Sequence, residues 1–271
     1  AELLVALGYL ERREDGYALS EVSRATYLPG GQMPLTEWVR FCETQQRALD
    51  SLDASIRSGR PVDLFDLMGG GEALLTHQRA MAQTALPAAE WVAAQVPVLK
   101  DAERMLDVGG SHGVYSAAIC RRHPPLKAEV LELPATLDAA VTVARENGCH
   151  RFVSHLPGDI LTTPLKGRYA LCLLGNLVHH LDGEGLAQVL NKLAAHTAPG
   201  GGLAIWDMAL GDGSEDPVAA SFGLFFYLTS GAGCHGEAAL GAAVERAGFR
   251  DVAVERPPQG TTHLLVTATK G

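Results

Sequence analysis

The sequence predicts an α/β protein: a mostly parallel sheet covered by helices on both faces, preceded by a smaller and mostly helical region. Three observations carry that prediction. From Glu103 onward short apolar runs alternate with helical segments. The first such run, Met105 to Val108, breaks into three glycines within five positions (Gly109, Gly110, Gly113) and resumes as an apolar helix. The first hundred residues lack this alternation and show helical spacing instead. The expected units are therefore 1–98 and 99–271.

Taken in order, residues 1–10 read as the end of a helix, with Leu3, Leu4 and Leu7 on one side and Gly8 as the stop. A hairpin follows through Glu11 to Ser20, turning at Glu14-Asp15-Gly16. A helix and a short hairpin make the second half of a winged helix. Because the chain opens on Ala inside a helix, a preceding N-terminal piece is expected. Two helical stretches come next, Leu35 to Arg57 and Leu74 to Leu99, separated by Gly59, Pro61 and Gly69-Gly70-Gly71. Their apolar positions recur at three and four, as in Trp38 and Phe41 or Leu49 and Leu52, which is the pattern of helices packed on neighbours.

In the second unit seven strands are expected near 105–108, 128–133, 151–155, 169–175, 203–209, 251–256 and 262–269. Helices are expected near 115–122, 135–147, 184–197 and 237–247. The last two strands have only residues 257–261 between them, too few for a crossover, so one must run antiparallel.

Composition bounds what this fold does. The chain has 271 residues, 47% of them hydrophobic and 20% charged, as in ordinary globular proteins. A formal charge of −9 without a basic stripe argues against nucleic acid and against a DNA-reading use of the hairpin. No apolar run reaches the ~18–20 residues that span a bilayer, and no signal peptide is recognisable, so no membrane partner is expected. Cys42, Cys120, Cys149, Cys172 and Cys234 are odd in number and never paired as C-x-x-C, which suits a reducing cytoplasm better than a disulfide framework or a zinc site.

The glycine turn is where chemistry enters. Glycines let a ligand approach the backbone, and the helix start that follows presents free N–H groups. Nineteen residues after Gly113, a second strand ends in Glu132, the distance at which a carboxylate accepts hydrogen bonds from ribose hydroxyls. The pair indicates a nucleoside cofactor. A G-x-G-x-x-G dinucleotide fingerprint fails at Ser111, and no phosphate loop occurs, so a pyrophosphate is disfavoured.

The loop after the fourth strand reads Gly175-Asn176-Leu177-Val178-His179-His180. An imidazole there is a candidate general base, since His titrates near neutrality. His179 is expected in that role, with His180 either capping the next helix or facing the acceptor. Asp207, ending the fifth strand, is placed to hold the other ring N–H of the base and fix its tautomer. Phe222, Phe225, Phe226 and Tyr227 are candidate walls of an acceptor pocket, or plain core, and His235 a further acceptor contact.

On these residues the chain resembles the bacterial and plant small-molecule O-methyltransferases, in which a winged-helix dimerisation domain precedes a Rossmann-like class I methyltransferase domain. The matching stretches are Leu106-Asp107-Val108-Gly109-Gly110 with Gly113; Leu131-Glu132-Leu133-Pro134; Gly158-Asp159-Ile160; Asn176-Leu177-Val178-His179; Pro199-Gly200-Gly201-Gly202; and Ala247-Gly248-Phe249. The resemblance implies S-adenosylmethionine as cofactor and S-adenosylhomocysteine as product. It implies that Asp107 faces the amino-acid end of the cofactor and Glu132, with Leu133 beside it, the ribose. Gly158, Asp159 and Ile160 would border the adenine, while Gly175 and Asn176 complete the crevice. It further implies His179 as base with Asp207 beside it, a small aromatic hydroxylated acceptor of secondary metabolism, and a homodimer; no metal is expected, because no carboxylate cluster with Mg²⁺ ligation spacing accompanies the motif. The chain departs from the family where Cys234-His235-Gly236-Glu237 replaces an acid followed by Arg-Thr, and where His-His-Leu replaces His-Asp-Trp. Relatives that bind the cofactor without transferring a methyl, and N- or C-methylation, remain as alternatives.

Overall fold

The computed structural model describes residues 1–28, 30–31, 33–210, 216–258 and 262–271. The N-terminal unit opens with α1 (Glu2–Ala6), the hairpin β1 (Leu10–Arg13) and β2 (Gly16–Leu19), and α2 (Glu21–Tyr27), whose N-cap Ser20 accepts from the Ser23 N–H. Then come α3 (Thr36–Leu49), α4 (Leu52–Ser58), α5 (Leu64–Met68) and the long α6 (Glu72–Gln95). The helix expected over 35–57 is thus two helices broken at Asp50-Ser51. The glycine- and proline-rich spacer holds a helical turn of its own, capped by Asp63 on Phe65 and Asp66. α6 ends at Gln95, short of the expected Leu99, and runs through Pro87, which lacks only a single N–H.

The second unit runs β3 (Arg104–Val108), α7 (Val114–Arg122), β4 (Lys127–Glu132), α8 (Leu137–Glu146), β5 (Val153–Pro157), β6 (Tyr169–Gly175), α9 (Gly183–His196), β7 (Thr197–Leu210), α10 (Pro217–Ser230), β8 (His235–Gly236), α11 (Glu237–Arg246), β9 (Phe249–Glu255) and β10 (His263–Lys270). All seven expected strands form. α10 and the two-residue β8 were not foreseen. The connection expected over 257–261 lies partly at 259–261, outside the described residues.

The sheet order is β5-β4-β3-β6-β7-β10-β9, with β8 added in parallel beside the end of β7. β10 is antiparallel to both β7 and β9, and the other pairs are parallel. The chain leaves β3 toward β4 and β5, then returns to β6 on the opposite side. The switch point between β3 and β6 therefore opens a crevice at their carboxyl ends, where ligands of such sheets bind.

The strands are apolar throughout because both faces are covered. Met105, Leu171, Leu173, Ala204 and Trp206 point to the face packed by α6, α7 and α8, and their alternates Leu106, Cys172, Leu174, Leu203 and Ile205 to the face packed by α9 and α11. By this alternation Asp107 shares the face of Met105, toward α7, and Asp207 that of Ile205. Smaller apolar clusters tie α10 to Ala48 of α3, and α3 to α6 through Phe41 and Ala80.

Candidate active site

The crevice is built from the glycine turn. Gly109 and Gly113 have φ of 63° and 67°, a left-handed backbone that side chains disfavour. Gly110 is required for another reason: a Cβ there would collide with the Asp107 carboxylate. Asp107 is buried, with Oδ2 accepting from Ser116 Oγ at 2.5 Å and Oδ1 without a hydrogen-bond partner among the described residues. Burial pushes its carboxyl up to about 7; the Ser116 hydroxyl works against that rise and the Glu132 charge adds to it. A buried orphan acceptor flush against a glycine backbone suits a compact cationic group such as an ammonium.

Glu132, 6% exposed, is held by three donors: Ser111 N–H at 3.0 Å on Oε2, and Leu133 N–H at 2.9 Å and Thr136 Oγ at 2.7 Å on Oε1. Its orientation is fixed, and about one acceptor position of roughly four is left for a ligand hydroxyl. Leu133 is 38% exposed beside it. At Gly158 a Cβ would meet Thr163 and Leu131. Asp159 turns Oδ1 back on the Leu161 N–H at 2.8 Å, and Ile160 is buried in the core beneath. Gly175 faces the Tyr115 ring. Asn176 sits at φ 52° with its carboxamide oxygen on His263 Nε2 at 2.8 Å.

On the other side of the crevice, Val178–His180 form a 3-10 turn beside β7. His179 Nδ1 lies 2.6 Å from Asp207 Oδ1; both side chains are buried, at 4% and 0% exposure. Asp207 also accepts from Val178 N–H at 2.8 Å and Met208 N–H at 2.7 Å. Burial alone would raise its carboxyl, but His179, His263 and the Met208 N–H together hold it below the ordinary carboxylate value. A carboxylate only accepts, so Nδ1 of His179 carries the proton and Nε2 is the basic nitrogen. Phe226 stacks on this ring at 3.6 Å between centroids and 15° between planes, and Phe222 lies 5.9 Å beyond it.

His180 Nε2 is 3.0 Å from His179 Nε2 and donates to it. Burial, then His179, push the His180 imidazole down to about 3, so it stays neutral. It keeps accessible surface while protein surrounds it on nearly every side, as expected of a side chain lining a concavity. It does not cap α9; Asp182 does, accepting from Gly185 N–H at 2.8 Å. His235 turns Nε2 onto the carbonyls of Val178 and Leu181, at 3.0 and 2.9 Å, and so staples the loop from behind. Of the remaining aromatics, Phe225 packs on the Ala48 cluster and Tyr227 is 39% exposed.

Several residues here carried no signal in the sequence. Gln78 of α6 hydrogen-bonds Ser111 Oγ, and the main chain of Met81 hydrogen-bonds His112 in the same turn. α6 thus clamps the glycine turn from the N-terminal unit. Such contacts join residues more than thirty positions apart, and no local pattern announces them.

A parallel sheet with this switch point, a glycine turn backed by two carboxylates, and a His–Asp pair across the crevice define a nucleoside-dependent group-transfer fold. The sequence matches the family described as the O-methyltransferase domain over residues 55–250, and the chain belongs to that family. It is a methyltransferase, and its cofactor is S-adenosylmethionine. It is 29% identical over 270 residues to 3-amino-4-hydroxybenzoate 4-O-methyltransferase of Streptomyces cremeus, covering 94% of this chain and 71% of that one. It is 24% identical over 177 residues to L-tyrosine C(3)-methyltransferase of Streptomyces lavendulae, covering 64% of this chain but only about half, 48%, of the relative. The fold matches the crystal structure of human N-acetylserotonin methyltransferase in complex with SAM with a TM-score of 0.84, at 18% identity, over 100% of this chain and 81% of that one.

Proposed function

We propose that the protein transfers the methyl group of S-adenosylmethionine to the oxygen of a small phenolic metabolite, with His179 as general base. The observation that carries this reading is the His179–Asp207 pair, whose shared proton on Nδ1 leaves Nε2 unprotonated and able to take one from a phenol that displaces His180. The cofactor, when bound, supplies an electrophilic methyl on a sulfonium. Asp107 and Gly110 would hold its amino-acid end, Glu132 its ribose, and the Gly158–Ile160 turn its adenine. A phenol is a weak nucleophile until deprotonated. His179 takes the proton, and Asp207 stabilises the imidazolium that results. Phe226 holds the ring in plane, and His180 gives up its place on Nε2 to the acceptor hydroxyl. An acceptor with an aromatic ring suits the walls formed by Phe222 and Phe226.

Residues 1–98 are proposed to serve as a partial winged-helix dimerisation and substrate-lining domain, and residues 99–271 as the cofactor domain. Leu3, Leu4, Leu7 and Val22 are exposed in the first of these, which supports a homodimer. No helix among the described residues is long and apolar enough to cross a membrane; we propose a cytoplasmic location. The test is incubation with labelled S-adenosylmethionine and a phenolic library. Methyl ether formation is expected; cofactor binding without S-adenosylhomocysteine release on any acceptor would overturn the assignment.

A further inference from the structure

His77, on α6, belongs to none of the groups described so far, yet its surroundings are chemical. Its ring lies 4.8 Å from Phe41. From there ring contacts continue through Trp38 (6.1 Å), Phe222 (6.5 Å) and Phe226 (5.9 Å) to His179 (3.6 Å). These five contacts form one aromatic wall with an imidazole at each end. Across the space, His77 is close enough to act electrostatically on both His112 of the glycine turn and His180 beside the base. Like His180, it keeps some accessible surface while protein surrounds it on nearly every side.

Packing alone does not account for an imidazole in this position. Nδ1 is shut off from solvent and has no hydrogen-bond partner among the described residues. An apolar ring would fill the same space against Phe41 without stranding a polar atom, and a buried polar atom left without a partner is destabilising. Burial pushes the imidazole down to about 4, so at neutral pH it is uncharged, and with Nδ1 enclosed it is Nε2, as N–H or lone pair according to tautomer, that is left to meet a ligand. Among the described residues the carboxyl groups of the crevice are Asp107, Glu132 and Asp207, and the imidazole of His180 beside the base is held neutral. An anionic substituent on the acceptor would meet no cation there.

We propose that His77 is a specificity-determining residue that hydrogen-bonds a second, uncharged polar substituent, a hydroxyl, amino or carbonyl group, on an aromatic acceptor whose reacting oxygen lies at His179. This rests on the phenolic reading above and adds a second anchor point at the far end of the aromatic wall. The acceptor class is then an aromatic carrying two separated polar groups, of which one is methylated and the other is read by His77.

The experiment measures binding of matched probe pairs by calorimetry in the presence of S-adenosylhomocysteine: resorcinol against phenol, and 2,7-dihydroxynaphthalene against 2-naphthol. Wild-type protein is expected to bind at least one diol about 10-fold or more tighter than its mono-hydroxyl partner. His77→Phe, which preserves the contact with Phe41, should bring that ratio close to one without changing affinity for S-adenosylhomocysteine, and His77→Gln should keep part of it. Where turnover is seen, the loss should fall on KM for the diol, with kcat nearly unchanged. A wild type that does not discriminate within either pair, a ratio unaltered in His77→Phe, or equal weakening of both members overturns the proposal. Because the ratio is read with the product nucleoside, it is decided independently of methyl transfer: discrimination with no turnover would refute the phenol-methylation reading and leave His77 as the recognition group.

Discussion

His180 Nε2 lies 3.0 Å from His179 Nε2, on the one ring nitrogen that Asp207 leaves unprotonated. The neighbour thus occupies the position a substrate hydroxyl needs. His180→Ala should therefore leave the base intact and lower KM or leave it unchanged, whereas His179→Ala should cut kcat by about 10² or more with little change in cofactor affinity. Steady-state kinetics of the two variants, with calorimetry for S-adenosylmethionine, separate these roles. Equal losses in both would mean that the two imidazoles act as one relay.

Asp207→Asn keeps the size of the side chain but can present an N–H where the imidazole needs an acceptor. The wrong tautomer should then put the proton on Nε2, and kcat should fall about 10²-fold or more while the fold is retained. Unchanged kcat in a variant with native circular dichroism would count against the Asp207 role.

Asp107 predicts a pH-dependent cofactor affinity. Its carboxyl is raised to about 7 in the free protein, and a cationic ammonium beside it would favour the charged form. S-adenosylmethionine should bind more tightly as pH rises from 6 to 8, releasing a proton on binding, and Asp107→Asn should lose both effects. Titration in buffers of different ionisation enthalpy measures the proton. The sign for stability is opposite. The folded state retains this proton after the unfolded chain has lost it, so the ligand-free protein should lose stability from about pH 4 up to about pH 7 on this account.

Buried histidines set an acid limit. His77 and His263 are pushed down to about 4 and His112 to about 3, each chiefly by burial. The unfolded chain takes up these protons first, from about pH 6.5 downward, so stability should fall between about pH 6.5 and pH 3. Thermal melts across that range check it, and His112→Gln should flatten part of the slope.

Gly110→Ala should abolish cofactor binding and lower stability by about 1–3 kcal/mol, because its methyl meets the buried Asp107 carboxylate rather than a flexible side-chain end. Denaturant melts and calorimetry measure the two effects separately.

The sheet was legible where the sequence had no competing reading. β3, its glycine turn and α7 follow from a short apolar run carrying Asp107 and from three glycines, and Asp207 was visible as an acid in an apolar strand, although β7 continues past it to Leu210. α10 was not, because Pro217–Ser230 is apolar on nearly every side and lacks the polar face that betrays an amphipathic helix. His235 was expected to face the acceptor; only the return of the chain beside β7 reveals that its ring reaches two carbonyls of the histidine loop. Gln78 and His77 were unreadable because their partners lie far along the chain.

α6 touches the glycine turn through Gln78 and Met81 and, one residue away at His77, the far end of the aromatic wall. One rigid helix therefore reports on both substrates. Whatever a bound nucleoside does to the position of Gln78 it does also to His77, and linkage requires the influence to run equally in reverse. Occupancy of either subsite should change affinity at the other by one common factor, which would couple the two binding events without any moving lid.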